Sequence, residues 1–235
     1  MADPMIPADL LELLQRVDTP TVCNAIEVAQ GKRGFDAYTK GTMQCSAPGE
    51  VMVGFARTAK IAGREAPTEA PDVIRARRLD YFRNMADGPR PAVAVLEDVD
   101  YPNCVSAWWG EVHTNVHKGL GLNGALTNGV MRDLGDLAAG FPVVAGSIGP
   151  SHAFVHVREL GTPVNVFGMT VNQGDLVHAD QHGGVVIPPE IIPHLKAAIE
   201  KMWAGEQIIL GPAKEPDFNI DKLLDAWRAF EKART

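Results

Sequence analysis

The amino-acid sequence predicts an α/β fold organised as a single domain with helical ends. Two observations lead to this fold class. Segments with the apolar spacing of helices are interspersed with short apolar strands along the 235 residues. No Ser/Gly-rich linker, low-complexity tract or internal repeat divides them. The apolar fraction of 46% and the charged fraction of 22% are ordinary for a globular protein. We therefore expect one domain over residues 1–235.

Helical periodicity and capping residues predict most of the helices. Thr19 is a suitable N-cap and Pro20 a suitable first helical residue, while Gly31 and Gly140 are typical helix stops. The predicted helices span 9–17, 20–29, 71–85, 111–118, 132–139, 189–204 and 220–232.

Short apolar or alternating segments predict the strands, and residues 32–49 resemble a loop. The Gly183-Gly184 pair after His182 is a hairpin-turn signal. The predicted strands span 51–61, 91–96, 125–127, 142–145, 153–159, 163–167, 175–179 and 184–187.

Charge and composition exclude several classes of protein. With 22 basic and 29 acidic residues the net charge is −7, so the electrostatic attraction that dominates nucleic-acid binding is missing. The arginine-rich segment 75–83 is therefore interpreted as a solvated or subunit-contact face. No signal-peptide pattern or membrane-length apolar run is present, so we expect a cytoplasmic protein without a membrane partner. The three cysteines are too widely spaced for a zinc motif, which favours free thiols: Cys23, Cys45 and Cys104.

Two motifs suggest functions that their contexts do not support. Residues 119–124 match GxGxxG, but a predicted helix precedes them and a strand follows, the reverse of a dinucleotide site. A methyltransferase reading fails for the same reason. His113 and His117 are four residues apart, as are His178 and His182, so zinc remains an alternative. No Glu lies between the first pair as a metalloprotease requires, and no GxSxG is present.

The stretch from Gly110 to Asp136 contains the residues best suited to chemistry. If a helix begins at Arg132, then Asp133 and Asp136 share one face and can hold a hard cation directly or through water. Arg132 can pair with a substrate carboxylate or enolate, and a backbone turn at Gly110 can bind an anion. These features predict a metal-assisted reaction on a small oxo-acid.

Gly110 followed by Arg132-Asp133 and an acid at Asp136 resembles the signature of the RraA-like family. Residues 19–25 are similar to the family's opening helix and residues 174–188 to its closing strand pair. The resemblance thus covers most of a core over about 15–188, with C-terminal helices over about 189–235. The family includes class II 4-hydroxy-4-methyl-2-oxoglutarate/4-carboxy-4-hydroxy-2-oxoadipate aldolases and the regulator of ribonuclease activity A, and it has often been labelled a demethylmenaquinone methyltransferase.

The resemblance implies a layered swivelling β/β/α-type fold, assembled as a homotrimer or hexamer with sites between subunits. It also implies Mg²⁺ or Mn²⁺ bound directly by Asp133, with Asp136 and Glu111 acting through water. Arg132 and Asp133 would then be the catalytic residues, with Arg132 binding the pyruvyl oxygen.

Substrate binding, as the resemblance implies it, would use the backbone at Gly110 and the residues that follow it. The resemblance places the pyruvyl carboxylate against Gly110, Glu111, Val112 and His113. The implied activity is that of a divalent-metal-dependent lyase that cleaves a 4-hydroxy-2-oxo acid to pyruvate, with possible oxaloacetate decarboxylase activity. The alternative is a non-catalytic, protein-binding regulator on the same scaffold.

The sequence departs from the family pattern in places that concern the substrate. Asn24 and Asn128 stand where the family commonly has Asp, and the segment 62–90 is unusual in its arginine-rich helix. We therefore expect the distal end of the substrate to differ.

Overall fold

The longest strand of the protein lies at the centre of a curled sheet, in a computed structural model that describes residues 5–234. Asp18, not the expected Thr19, caps the second helix by accepting a hydrogen bond from the N–H of Thr21, and Gly31 ends that helix with a φ of 65°. The helices are α1 (Ala8–Leu14), α2 (Thr19–Gln30), α3 (Pro71–Ala86), α4 (Glu111–Gly119), α5 (Ile192–Ala213) and α6 (Ile220–Arg234).

The strands are short apart from the central one, which has 11 residues. They are β1 (Gln44–Cys45), β2 (Met52–Ala62), β3 (Ala92–Asp98), β4 (Ala107–Trp109), β5 (Leu122–Thr127), β6 (Val130–Met131), β7 (Val143–Ala145), β8 (Ser147–Ile148), β9 (His156–Leu160), β10 (Val164–Val166), β11 (Met169–Val171), β12 (Leu176–Asp180) and β13 (Gly183–Ile187).

The main sheet has the strand order β1-β7-β5-β3-β2-β12-β13, and β9 also pairs with β2. Neighbours β2, β3, β5 and β7 are parallel, whereas β1, β9, β12 and β13 pair antiparallel at the two sides. Along one edge of β2, the first half pairs with β12 and the second half pairs with β9, so both halves of this eleven-residue strand are hydrogen-bonded. The mixed sheet with helices at both ends confirms the predicted fold class.

Alternation along the strands assigns the two faces of the sheet. In β3, Ala92, Ala94 and Leu96 pack with Tyr81 of α3, while Val95 on the opposite face packs with the β10–β11 hairpin. Helices α1, α2 and α5 pack on the same face as α3, but beside β12 and β13. Helices therefore cover one face of the sheet and a small hairpin covers the other.

A second sheet of three short parallel strands, in the order β4-β6-β8, carries the region that the sequence singled out. Strand β5 ends at Thr127, and only Asn128 and Gly129 separate it from β6. Asn128 ties the connection between β5 and β6 to the end of β3. Its side chain accepts a hydrogen bond from the N–H of Asp98 and donates one to the carbonyl of the same residue. The main sheet thus holds the small sheet in place.

Several local predictions are wrong for identifiable reasons. Residues 132–139 form turns and not a helix. The β12–β13 hairpin exists, but Gln181 and His182 form its loop, and Gly183 and Gly184 already belong to β13. Helix α5 continues to Ala213, well past the expected end at 204. Strands β4, β6, β8 and β11 have only two or three residues, too few for a periodic pattern.

Two expectations concern the limits of the chain. The prediction of one domain over 1–235 includes residues 1–4 and 235, which lie outside the described residues, and it stays a prediction. Within residues 5–234, no helix combines the length and the apolar character that a membrane crossing requires.

Candidate active site

Gly110 and the Arg132-Asp133 pair follow the carboxyl ends of two neighbouring parallel strands. Trp109 at the end of β4 pairs with Met131 at the end of β6. The N–H of Arg132 then donates to the carbonyl oxygen of Trp109 at 2.8 Å. Residues 22 positions apart in sequence are therefore adjacent because the two strands run side by side.

The carboxylate of Asp133 lies at the N-terminus of α4. Its Oδ2 accepts a hydrogen bond from the backbone N–H of Glu111 at 3.2 Å, and the positive end of the helix dipole favours this charge. Gly110 has an ordinary extended φ of −157°, so its conformation does not require glycine. Space does, because a Cβ at Gly110 would lie 2.5 Å from Oδ2 of Asp133.

Arg132 and Asp133 form a loose ion pair. Nε of Arg132 lies 3.5 Å from Oδ2 of Asp133, and the two side chains are 34% and 32% exposed. A partly exposed pair of this kind contributes little to stability, about 0–1 kcal/mol. Both groups therefore remain accessible to a ligand that competes for them.

Asp133 occupies the left-handed region of backbone space, with a φ of 54°. Asp tolerates this region better than most residues, and here the conformation forms a turn in which the N–H of Asp136 donates to the carbonyl of Asp133 at 2.9 Å. The prediction that a helix places Asp133 and Asp136 on one face is therefore wrong. Asp136 is exposed at the tip of this turn, and its water-mediated role stays a prediction.

The turn after Asp133 is fastened to α4 at its far end. The hydroxyl of buried Thr114 donates to the carbonyl of Gly110 at 3.0 Å. The hydroxyl oxygen of Thr114 in turn accepts a hydrogen bond from the N–H of Ala138 at 3.0 Å. Together with the bond from the N–H of Arg132 to Trp109, this fixes residues 132–138 at both ends.

The first turn of α4 offers backbone N–H groups to an anion. A helix N-terminus leaves its first N–H groups without partners inside the helix, and here that of Glu111 meets Asp133. The N–H groups of Val112 and His113 follow in the same turn, with Val112 itself 66% exposed. This is a suitable geometry for a carboxylate ligand beside Arg132.

Aromatic side chains of α3 and β4 support the first turn of α4. His117 lies with Nδ1 2.6 Å from the carbonyl of His113, so that nitrogen donates and Nε2 accepts from the Tyr81 hydroxyl, also at 2.6 Å. The indole N–H of Trp108 donates to the Tyr81 oxygen at 3.2 Å. The Trp108 ring also contacts the His113 ring at 4.3 Å between centroids, so Trp108 is a core residue that supports the His113 ring.

Both histidines of α4 are neutral at physiological pH. Burial is the main cause that lowers the pKa of His113 to about 3, and the charges of Arg78 and Arg132 act in the same direction. Burial also lowers the pKa of His117 to about 4. The two rings stack at 5.7 Å between centroids, and the hydrogen bonds of His117 leave it no lone pair for a metal.

The second histidine pair does not converge on a metal either. Buried His178 bonds the Thr19 hydroxyl at 3.0 Å and the Leu14 carbonyl at 2.9 Å, while His182 lies beside Asp180. Within the described part of the chain, no group of three or more His, Cys, Asp or Glu side chains is placed to hold a metal ion. The three cysteines are free and partly buried.

The residues do fit a hard divalent ion bound mainly by water. Mg²⁺ keeps several waters and takes one or two protein carboxylates, so it does not require a closed cage. The Asp133 carboxylate is partly exposed, and among residues 5–234 its polar partners are one N–H and a loosely placed guanidinium. Exposed Glu111 and Asp136 each bond to Asp133 through their backbone N–H groups, so both carboxylates belong to segments that adjoin this ligand.

Comparison with known proteins identifies the family. The sequence model of the RraA-like family, described as aldolase/RraA, matches residues 19–186, which is more than half of the chain. The protein therefore belongs to the RraA-like family. That family contains both aldolases and RNase inhibitors, so membership leaves the activity open.

A curated relative and two solved structures are similar to the chain. An uncharacterized protein of Methanocaldococcus jannaschii is 33% identical over 134 residues. The match covers 54% of this chain and 64% of that relative, so this chain spans less than two thirds of the relative's length. RraAS2 of Streptomyces coelicolor, an unusual member of the RNase ES inhibitor RraA protein family, has a TM-score of 0.66 at 21% identity, covering 92% of this chain and 100% of its own. A structure described as a novel cellulase from gut-associated microbes has a TM-score of 0.71 at 20% identity, covering 88% and 90%. At these identities the structures show a shared fold.

Sequence reasoning missed the contribution of α3. Tyr81 and Phe82 contact the histidines of α4, yet they read as ordinary apolar positions of an amphipathic helix. The sequence showed the arginines of α3 as a cluster, but nothing in it indicated that the charge of Arg78 acts on the His113 ring.

Proposed function

We propose that this protein is a divalent-metal-dependent lyase, a class II pyruvate aldolase that cleaves a 4-hydroxy-2-oxo acid and can also decarboxylate oxaloacetate. One observation carries the proposal: the Asp133 carboxylate lies between the Glu111 N–H and the Arg132 guanidinium, at a helix N-terminus that can bind an anion. The aldolases within the family support the same reaction class.

The chain's own groups suit the binding of a pyruvyl unit. The substrate carboxylate would accept hydrogen bonds from the N–H groups at the start of α4, at Val112 and His113. The C2 oxygen would face Arg132, whose planar guanidinium can donate two hydrogen bonds. Trp108 and the neutral His113 ring would form the wall and exclude water.

Cleavage then follows from charge stabilisation at one oxygen. The 4-hydroxyl gives its proton to water, the C3–C4 bond breaks, and its electron pair forms the enolate of pyruvate while an aldehyde or ketone leaves. Protonation of the enolate at C3 by water then gives pyruvate. Loss of CO₂ from oxaloacetate gives the same enolate. Arg132 stabilises its negative oxygen, as preorganised donors do in other active sites. A Mg²⁺ or Mn²⁺ ion held by Asp133 would supply Lewis-acid polarisation of the same carbonyl.

Pyruvate release is the direct test. Purified protein stripped with EDTA should release no pyruvate from oxaloacetate or 4-hydroxy-2-oxoglutarate above the rate of the metal in buffer, and added Mg²⁺ or Mn²⁺ should restore turnover. Activity that survives exhaustive chelation would refute the metal requirement. No turnover across a panel of such acids would favour the protein-binding regulator.

We also propose a homotrimer or a hexamer built from two trimers, because RraA-like proteins are typically oligomeric. A neighbouring subunit would then complete the site beside Arg132. Light scattering at micromolar concentration should give a mass that is a multiple of three chains; a monomer would contradict both the assembly and the shared site.

A further inference from the structure

Helix α3 forms a fixed wall beside the candidate site. Tyr81 is fully buried and bonds both His117 of α4 and Trp108 of β4. Its neighbour Phe82 packs against the His113 ring at 6.0 Å between centroids. Two consecutive residues of α3 thus hold the helix against the first turn of α4.

Arg78 lies on the side of α3 that faces this turn. It precedes Tyr81 by three residues and Phe82 by four, the spacings that place helical side chains on one face. Helical side chains also lean toward the N-terminus of their helix, so Arg78 covers the surface on the N-terminal side of Phe82. The position agrees with the action of the Arg78 charge on the His113 ring.

Arg78 is an exposed cation without an acidic partner among residues 5–234. Two neighbours on the same helix are paired, Arg77 with Glu69 at 3.0 Å and Arg83 with Asp80 at 2.6 Å. Within the described residues, the second guanidinium that acts on His113 is that of Arg132, whose carboxylate partner Asp133 is the expected metal ligand. When a divalent ion joins this group, positive charge exceeds negative charge there, which favours an anionic ligand.

The charges of Arg78 and Arg132 both act on the His113 ring, Arg78 from α3 and Arg132 from the residue after β6. Arg132 and the N–H groups of α4 would hold the 2-oxo acid head, the His113 ring would lie under the middle of the substrate, and Arg78 would meet its far end. We propose that Arg78 is a specificity-determining residue that binds a second carboxylate, at the distal end of a 2-oxo-dicarboxylate. This inference rests on the proposed function for its substrate head group.

Binding of stable analogues separates this inference from catalysis. The probes are 2-oxoglutarate and 2-oxopentanoate, which share the 2-oxo acid head and differ in a distal carboxylate or methyl group. Titration calorimetry with Mg²⁺ present should show that the wild-type protein binds 2-oxoglutarate about 10–100-fold more tightly, the range of a charge-assisted hydrogen bond. Arg78→Met should abolish that difference and leave 2-oxopentanoate binding unchanged, while Arg78→Lys should recover part of it.

Arg83→Met is the matched control. It removes the same charge from the same helix, but from an exposed pair with Asp80 on another side, so it should leave the preference intact. Equal binding of both probes by the wild-type protein, or a preference that survives in Arg78→Met, would overturn the inference.

Kinetics add an independent outcome. With 4-hydroxy-2-oxoglutarate, Arg78→Met should raise KM by a similar factor and leave kcat nearly unchanged, whereas with 4-hydroxy-2-oxopentanoate neither constant should move. A protein that cleaves neither acid but binds 2-oxoglutarate through Arg78 would refute the proposed lyase and support this inference. Cleavage of both acids with no effect of Arg78→Met would support the proposed lyase and refute the role of Arg78.

Discussion

The backbone N–H of Glu111 donates to the Asp133 carboxylate at 3.2 Å, although 22 residues separate the two in sequence. This contact joins the start of α4 to the end of β6. It places the negative charge expected to hold a metal beside the N–H groups expected to hold a substrate, so that the two functions depend on one piece of backbone.

Asp133 and Asp136 should differ sharply in their effect on metal binding. Asp133→Asn removes the charge but keeps a residue that tolerates a φ of 54°, so we expect a folded protein that has lost Mg²⁺ binding and pyruvate release together. Asp136 is exposed, so Asp136→Asn should weaken Mg²⁺ binding by no more than the ~10–100-fold typical of outer ligands. Calorimetric titration with Mg²⁺ measures both, and an unchanged affinity in Asp133→Asn would show that the metal assignment is wrong.

Arg132→Lys should act mainly on kcat. Lysine keeps a positive charge but loses the planar fork, and the lost interaction is strongest when the enolate oxygen gains charge. Removal of one such donor typically costs ~10²–10³-fold in kcat. Steady-state kinetics with oxaloacetate, after circular dichroism has verified folding, would give this result. Near-wild-type kcat would mean that Arg132 forms only an ion pair with Asp133.

Gly110→Ala tests the close approach of Asp133 to α4. The φ of −157° suits alanine, but its Cβ would lie 2.5 Å from Oδ2 of Asp133 and 3.1 Å from Cγ of Arg132. We expect a folded protein whose displaced site has lost about 10²-fold in kcat/KM, the typical cost of a misplacement near 1 Å. Gly135→Ala, where an added Cβ would have nothing within 4 Å, is the control and should behave as wild type.

The free energy of unfolding should decrease as the pH is lowered below about 6.5, because His117 is buried as a neutral ring. Burial lowers the pKa of His117 to about 4, whereas the unfolded chain binds this proton near pH 6.5. The neutral ring is present in both states above that value, and as pH falls from about 6.5 to 4 the unfolded state alone gains the proton and is stabilised. At pH 5 this costs about 2 kcal/mol of folding free energy.

Urea unfolding at pH 7.5 and pH 5 measures this loss. His117→Phe removes the ionisable group, so its free energy of unfolding should depend on pH less than that of the wild-type protein by about that amount. His152→Gln, a change at an exposed histidine, is the control. The same pH dependence in His117→Phe and the wild-type protein would contradict the assignment.

Long periodic segments were predictable from the sequence, and the structure brings together three of the residues that the sequence singled out, Gly110, Arg132 and Asp133. Helix α4 is clearly amphipathic. The structure also has the context used to set the dinucleotide motif aside, because α4 ends at Gly119 and β5 begins at Leu122. The 132–139 helix was predicted wrongly because its apolar pattern, at Leu134, Leu137 and Ala138, also fits a turn whose ends are bound to other elements.

The geometry of the site could not be predicted because it depends on pairing between distant segments. Strands β4 and β6 have three and two residues, and only their parallel contact brings Gly110 to Asp133. The same holds for Arg78, whose relation to His113 follows from the packing of Tyr81 and Phe82 against α4. A local pattern contains none of these contacts.

The left-handed backbone at Asp133 also limits how this protein can evolve. Asn and Gly are the other residues that accept a φ of 54° readily, and each removes the carboxylate while leaving the turn and its two fastenings in place. A single replacement at this position therefore ends the proposed chemistry at little cost to the scaffold. Descendants that lose catalysis in this way inherit an intact surface for natural selection to use in another role, a simple route by which one lineage comes to hold both lyases and inhibitors.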